Sequence, residues 1–481
     1  MQKLKTKILE LSRIRQGSNS DNGASVCELL QNEVHIFPSV EEASDVIKNC
    51  FNSFGDCKVL LIGDATHGTS EFYKMRAEIT KFMIEQHGFN IVAIEADWAE
   101  TEAIDRYVRH RPASKNQASI RSSAPGAVEP PDCKHVFARF PTWMWQNEEV
   151  NEFVEWLRNH NKNKDEHDSD SVGFYGLDLY SLGASMHAVI EYLDKMDKSM
   201  AGVARERYGK LMEWADSPKE YGLETLVSSF QGYEAEVVDM LKSLLSKRHE
   251  YSQTVWNGEE FHSSEQNARV VKDAEQYYKA IFYGRHESWN LRDKHMFDAL
   301  VHILDHRGES SKAVLWAHNS HVGDARASSK SWSRKELNIG QLCKEAFGTR
   351  ALTIGCSTYW GTVAAAEQWD HDMRVMRVEP ALPGSYEELM RATGIKNFVL
   401  NLQEGRCNKK LREALREERL QRFIGVIYEP ATERQSHYSI SILPEQYDSF
   451  IWFEETRHVQ TLETRQPPTG LGPILSWPFG F

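Results

Sequence analysis

The chain has 481 residues, 41% of them hydrophobic and 26% charged, a composition that belongs to a folded globular protein and speaks against fibrous or largely disordered classes. Its 57 Lys and Arg against 70 Asp and Glu leave a formal net charge of −13, which argues against broad attraction to nucleic-acid phosphates or to an anionic membrane surface. No apolar run reaches the roughly 18 residues of a membrane span, and the N-terminal MQKLKTKILELSRIRQ lacks the apolar block of a secretory signal, so a cytoplasmic location is expected.

The first strong element signal is CKVLLIGD, an aliphatic run that reads as a buried strand and stops at Asp64. The turn Asp64-Ala-Thr-His67-Gly68 follows, with Thr69 or Ser70 as a helix cap and backbone N–H groups suited to an anion or a developing oxyanion. It lacks the lysine of a phosphate-binding P-loop. Phe72, Met75, Ile79, Phe82 and Met83 then recur at helical spacing, and Arg76 falls on their side of the helix. An arginine there either snorkels or reaches into a cleft to meet a carboxylate or substrate, with Glu95 as its candidate partner.

NIVAIEAD brings Glu95 and Asp97 to the end of a second strand, where burial would raise a carboxyl pKa unless a cation or histidine pairs with it. Val150, Phe153, Val154 and Leu157 predict another one-sided helix, and VGFYGLD a third strand ending at Asp178. From 200 to 310 the pattern becomes long charged helices, with Val270, Val271, Ala274, Tyr277, Tyr278 and Ile281 forming one apolar face. Arg292, Asp293 and His295 lie among them, as a solvated face or a helix-to-sheet ion pair. KAVLWAHNSH is the fourth strand signal and ends on His318 and His321, after which ALTIGCST, NFVLNL and FIGVIYEP read as further strands. Segments 111–135, 161–171 and 324–336 read as mobile loops, the first and third placed to cover a cleft.

Strand, helix and strand in repetition predict an α/β fold: a mostly parallel central sheet flanked by helices, with a helical insertion packed beside it. The expected division is 1–199 and 311–460 for the two parts of the α/β core, 200–310 for the insertion and 461–481 for a C-terminal surface tail. Ligands of such sheets collect beyond the carboxyl ends of the strands, where Asp64, His67, Glu95, Asp178, His318 and His321 all fall.

Two chemistries suit these residue types. Neutral His67 can take a proton from water, with a carboxylate fixing its tautomer and Arg76 with a second histidine stabilising an oxyanion. Alternatively His67, His318 and His321 hold a divalent metal that acidifies a bound water. The spacing of His318 and His321 departs from the H-E-x-x-H zinc helix, which favours the metal-free form. A serine nucleophile lacks the G-x-S-x-G elbow. The seven cysteines are scattered without a CxxC pair, which reads as reduced thiols with none beside the strand-end histidines in sequence. Trp98, Phe140, Trp143 and Trp145 lie near strand ends and suit an apolar cleft or the core.

The blocks GDATHGTSEFYKMR, VAIEADW, RFPTWMW, GFYGLDLYSL, SWNLRDKHM, WAHNSHVGD and GVIYEP together resemble the erythromycin esterase family. The resemblance implies hydrolytic opening of a lactone by a histidine-activated water, without a covalent acyl-enzyme; no cofactor is expected. It further implies His67 as general base, Glu95 and Arg76 as supporting groups, and His318 and His321 as further active-site histidines. The family places Glu three residues before the base histidine, whereas this chain has Asp64, one methylene shorter. The expected partner is therefore a small-molecule ester or macrolactone, macrolides and hence antibiotic resistance included, rather than nucleic acid or membrane. A metallohydrolase using the same histidines and a non-catalytic binding or biosynthetic accessory protein are the alternatives.

Overall fold

The computed structural model describes residues 20–112, 137, 141–164, 170–254 and 258–462. Its strands are β1 (His35–Ile36), β2 (Val59–Asp64), β3 (Ile91–Asp97), β4 (Gly173–Asp178), β5 (Ala313–His318), β6 (Ala351–Ala365), β7 (Arg374–Val378), β8 (Asn397–Asn401), β9 (Arg419–Arg422), β10 (Tyr438–Ser441) and β11 (Ser449–Thr456). Nine of them form one sheet in the order β1-β8-β11-β6-β2-β5-β3-β4, with β7 paired to β6, and β9 with β10 makes a separate two-stranded ribbon. Pairing is parallel from β11 through β6, β2, β5 and β3 to β4, while β8, β1 and β7 join antiparallel. The fold is thus α/β with a mixed sheet that is parallel through its centre.

Strands β2 to β5 are buried along their whole length, which explains their aliphatic, non-alternating sequences. Helix Ser70–His87 buries Phe72, Met75, Ile79 and Met83 and ends at Gly88, whose φ of +67° forms the left-handed cap that a side chain resists. Helix Glu148–Asn161 buries Val150, Phe153, Val154 and Leu157, and Asn147 caps it by accepting from the Val150 N–H.

Between β4 and β5 the chain is helical, from Leu182–Met196 to the long pair Glu259–Tyr283 and Arg285–Arg307. Helix Glu259–Tyr283 packs against both Leu182–Met196 and Arg285–Arg307, with Val270, Val271, Ala274, Tyr277 and Tyr278 buried and Ile281 partly so. Helix Arg285–Arg307 also reaches β4 and brings Arg292 and Asp293, both buried, to the sheet.

Two local expectations are corrected. Segment 324–336 is not a mobile loop: it folds into Ala325–Ala327 and helix Ser329–Arg334, tied to β10 by the Ser329–Ser439 hydroxyl pair and by Ile442 N–H donating to Ala327 O. FIGVIYEP is buried from Phe423 to Tyr428 but makes single bridges at Ile424 and Ile427 instead of a strand. The expected lid at 111–135, apart from Arg111 and Pro112, lies outside the described residues, as do Phe140, Cys133, part of 161–171 and the tail beyond 462. Among the described residues no helix is long and apolar enough to cross a membrane.

The turn that carries His67 is closed by distant backbone. Gly68 O accepts from the N–H groups of Ala364 and Val459, and Ser70 N–H donates to Arg457 O. A Cβ on Gly68 would stand 1.9 Å from Ala364 O, a backbone atom that cannot swing aside. Gly68→Ala is therefore expected to destabilise the protein by about 1–3 kcal/mol, read as a lower urea midpoint, because it must part the turn from β6.

Candidate active site

Strand register assembles the site. Asp64 is paired with His318 across β2 and β5, Ile94 with Trp316 across β3 and β5, and Asp97 with Asp178 across β3 and β4. The register of β3 on β4 shifts between Ile94 and Asp97, an irregularity of the kind that re-aims side chains beside functional sites, and it falls at Glu95. The carboxyl edge of the sheet opens into a narrow cleft, with about 50 Å³ of space, lined by His67, Glu95, Asp97, Asp178, Tyr180 and Arg292, with Met144, Trp145 and Trp369 among its apolar walls.

His67 is 2% exposed, and its Nδ1 lies 3.4 Å from Asp64 Oδ1. Asp64 Oδ2 meets Arg76 Nη1 at 2.7 Å, as an ion pair rather than a well-aligned hydrogen bond. The Arg76 guanidinium rests over Tyr73, 4.3 Å from the ring centroid, and Tyr73 donates its hydroxyl to His67 O. With Nδ1 turned to Asp64, Nε2 is the ring nitrogen offered to the cleft. Arg76 does not line the cleft; its carboxylate partner is Asp64, not Glu95. Of the backbone N–H groups at the helix start, that of Ser70 is taken, donating to Arg457 O.

Glu95 is held by Arg292. Arg292 grips Asp178 in a fork, Nε to Oδ1 at 2.9 Å and Nη2 to Oδ2 at 2.6 Å, and Nη2 also donates to Glu95 Oε1 at 2.7 Å. Glu95 Oε2 accepts from the His318 backbone N–H at 2.9 Å. Burial opposes ionisation of Glu95, but the charges of His321 and Arg292 outweigh it and hold its carboxyl well below the usual range.

His321 stands behind that pair. Its Nδ1 is 2.9 Å from both Asp293 oxygens, and its Nε2 is 3.3 Å from Glu95 Oε1 and 3.1 Å from Arg292 Nη1. Burial disfavours the imidazolium, yet Asp293 and Glu95 raise its pKa to about 9. Protonated, the ring donates to both carboxylates; neutral, its Nε2 accepts from Arg292 instead. His318 behaves oppositely: burial, with His67 nearby, pushes it well below the usual imidazole range. Its Nδ1 accepts from Ser320 N–H at 3.3 Å and faces Ser320 Oγ at 2.8 Å, which places the ring hydrogen on Nε2. The His318 and His67 ring centroids are 4.9 Å apart.

The structure therefore brings His67 and Glu95 to the cleft surface and sets Asp64, Arg76, His318 and His321 around them as buried neighbours. It does not make a metal nest of His67, His318 and His321. Both nitrogens of His321 face Asp293, Glu95 and Arg292, and among the described residues no three His, Cys, Asp or Glu side chains are grouped to hold an ion. Arg292 and Asp293 are the residues missing from the sequence-derived set; the charged cluster in SWNLRDKHM was visible, but its two arms part, for His295 turns to Asp273 at 2.7 Å.

Linkage gives a test of the buried cluster. A His pKa raised from 6.5 to about 9 supplies stability that is fully present below about 6.5 and lost as pH rises through about 9, on the order of 3 kcal/mol in all. The buried Lys330 titrates in the same window, so the difference between wild type and His321→Gln isolates the effect. The wild-type advantage in urea midpoint is expected to be largest near pH 6 and to shrink by pH 9.5.

A family model described as Erythromycin esterase matches residues 84–456, a span that includes Glu95, Asp178, Arg292, His318 and His321 and begins beyond His67. Erythromycin esterase type II of Escherichia coli is 22% identical over 370 residues, covering 73% of this chain and 82% of that protein. The putative hydrolase YbfO of Bacillus subtilis (strain 168) is 20% identical over 412 residues, covering 82% and 83%. Among solved structures, a Bacillus cereus protein shares the fold at a TM-score of 0.74 and 18% identity, covering 92% of this chain and 99% of that one. A variant of the erythromycin esterase EreC in its open conformation does so at 0.58 and 13%, covering 87% and 94%. With the family model matched over most of its length, the chain belongs to the erythromycin esterase family, a membership that supports a hydrolase of the esterase type.

Proposed function

We propose that the protein hydrolyses a carboxylic ester, lactones and macrocyclic lactones included, by direct attack of a water that His67 activates, without a metal and without an acyl-enzyme. The observation that carries this reading is the shared cleft: an imidazole backed by a buried carboxylate faces the same hollow as an ionised carboxylate and a guanidinium. His67 Nε2 takes a proton from water while Asp64 at Nδ1 stabilises the imidazolium that forms. The water oxygen bonds to the carbonyl carbon, and the ester C–O bond then breaks as the imidazolium returns its proton to the leaving oxygen. Of the five guanidinium hydrogens of Arg292, Asp178 engages two and Glu95 one, and because the imidazolium form of His321 accepts none, Nη1 keeps its hydrogens for a developing oxyanion. Glu95 orients the water and keeps Arg292 at the wall.

Among the described residues no thiol lines the cleft. Cys356, which donates to Gly63 O at 3.3 Å, has its pKa pushed well up by burial. Tyr180, Trp145, Met144 and Trp369 give the cleft apolar walls beside its charged groups, the mixture that a small-molecule ester site uses.

A panel of simple and macrocyclic lactones and esters, followed by mass spectrometry, is expected to show at least one substrate gaining one water. His67→Gln should lower kcat by about 10²-fold or more at similar KM. Retained turnover in that variant, or activity lost to a chelator and restored by one metal, would overturn the mechanism. Binding with no mass change across the panel would favour the accessory-protein alternative.

A further inference from the structure

Lys330 belongs to helix Ser329–Arg334, in a segment whose sequence resembles a solvent loop, yet it is only 4% exposed. Its Nζ lies 5.2 Å from the ring centroid of Trp289 and 4.9 Å from that of Phe423, within the range where an ammonium is attracted to an aromatic face. Each of those rings also touches a histidine of the site. Trp289 stacks on His321 with centroids 4.5 Å apart and planes 7° from parallel, and Phe423 meets His318 nearly edge-on at 6.1 Å. Trp289 is further pinned to the same segment, its Nε1 donating to Leu337 O at 2.6 Å.

We propose that Lys330 is a positioning residue of the hydrolytic site: its ammonium, held between Trp289 and Phe423, keeps His321 and His318 seated and sets a positive charge behind them. The proposal rests on the hydrolase reading for its effect on rate, and on the ring contacts alone for its effect on the histidines. A cation at that place disfavours a second positive charge on His318, so His318 stays neutral with its hydrogen on Nε2, beside His67. The charged and titratable groups around Lys330 are Glu336 and Arg334 on its own segment, Asp293 on helix Arg285–Arg307, and His318 and His321 across the two rings. Burial pushes the ammonium down to about 7 against the pull of Glu336, so this charge changes near neutrality. As pH rises and the proton leaves, the attraction to both rings weakens.

Three variants test this with a lactone that the wild type opens. Lys330→Met is expected to lower kcat about tenfold with KM within about twofold, a loss of the size that a buried cation–π contact supplies. Lys330→Arg, which keeps a cation at every working pH, should restore kcat at pH 7 and sustain it at pH 9, where the wild type has declined. Glu336→Gln retains the lysine, removes its counter-charge and should move that decline to lower pH, so it serves if Lys330→Met folds poorly. Independently of turnover, imidazole ¹H–¹⁵N spectra of the substrate-free protein should show the His318 resonance and the His321 titration displaced in Lys330→Met. Unchanged kcat, pH profile and imidazole spectra in that variant would overturn the proposal. A wild type that opens no ester would sink the hydrolase reading, while the spectra would still decide whether Lys330 acts on the histidines.

Discussion

Arg292 is the residue on which the arrangement turns. Glu95 and Asp178 end two neighbouring parallel strands, where water is largely excluded and two ionised carboxylates would repel. A single guanidinium reaches both at once, and its planar fork satisfies Asp178 with two bonds while a third goes to Glu95. That one contact docks the long helix Arg285–Arg307 onto the sheet edge and, with the charge of His321, keeps Glu95 ionised. Through the neighbouring Asp293 it also determines the charge of His321. Removing either partner would leave a buried charge uncompensated, which is why the helix and the strand ends form one unit rather than two packed surfaces.

A second unit surrounds His67. Asp64 is shared between Arg76 and the His67 ring, and Tyr73 fixes the His67 carbonyl, so the imidazole is oriented from two sides. The turn itself is held by backbone of residues 364, 457 and 459, from β6 and from the chain after β11. The two units differ in electrostatic character. Around His321, carboxylates outnumber the available cations and favour the imidazolium, whereas His318 meets mainly burial and other bases and stays neutral. Two histidines three residues apart are thereby given opposite roles by their surroundings.

The helical part between β4 and β5 therefore does more than cover the sheet. It supplies the cation of the cleft, the carboxylate partner of His321 and the indole that stacks on it, all from helix Arg285–Arg307. Spacing explains why these three act together: Trp289, Arg292 and Asp293 are three and four residues apart and so share one helix face.

Much of this was legible in the chain as written. Aliphatic runs ending abruptly at Asp64, Glu95, Asp178 and His318 identified four parallel strands and their functional edge, because a strand buried on both faces must be apolar throughout and can turn polar only where it leaves the sheet. The apolar faces at 72–83, 150–157 and 270–281 likewise identified their helices. What the sequence by itself determined is thus the fold class and the sheet edge at which His67, Glu95 and Asp178 meet the cleft. Only the tertiary structure decided which arginine meets which carboxylate, that Arg292 and not Arg76 faces the cleft, and that 324–336 is an ordered, partly helical segment that buries Lys330. Partners such as Glu95 and Arg292 are 197 residues apart in the chain, and local periodicity carries no information about contacts of that separation. Pairing, charge state and burial are properties of the packed whole, set by which oppositely charged groups the strand register and helix docking bring within a few ångströms.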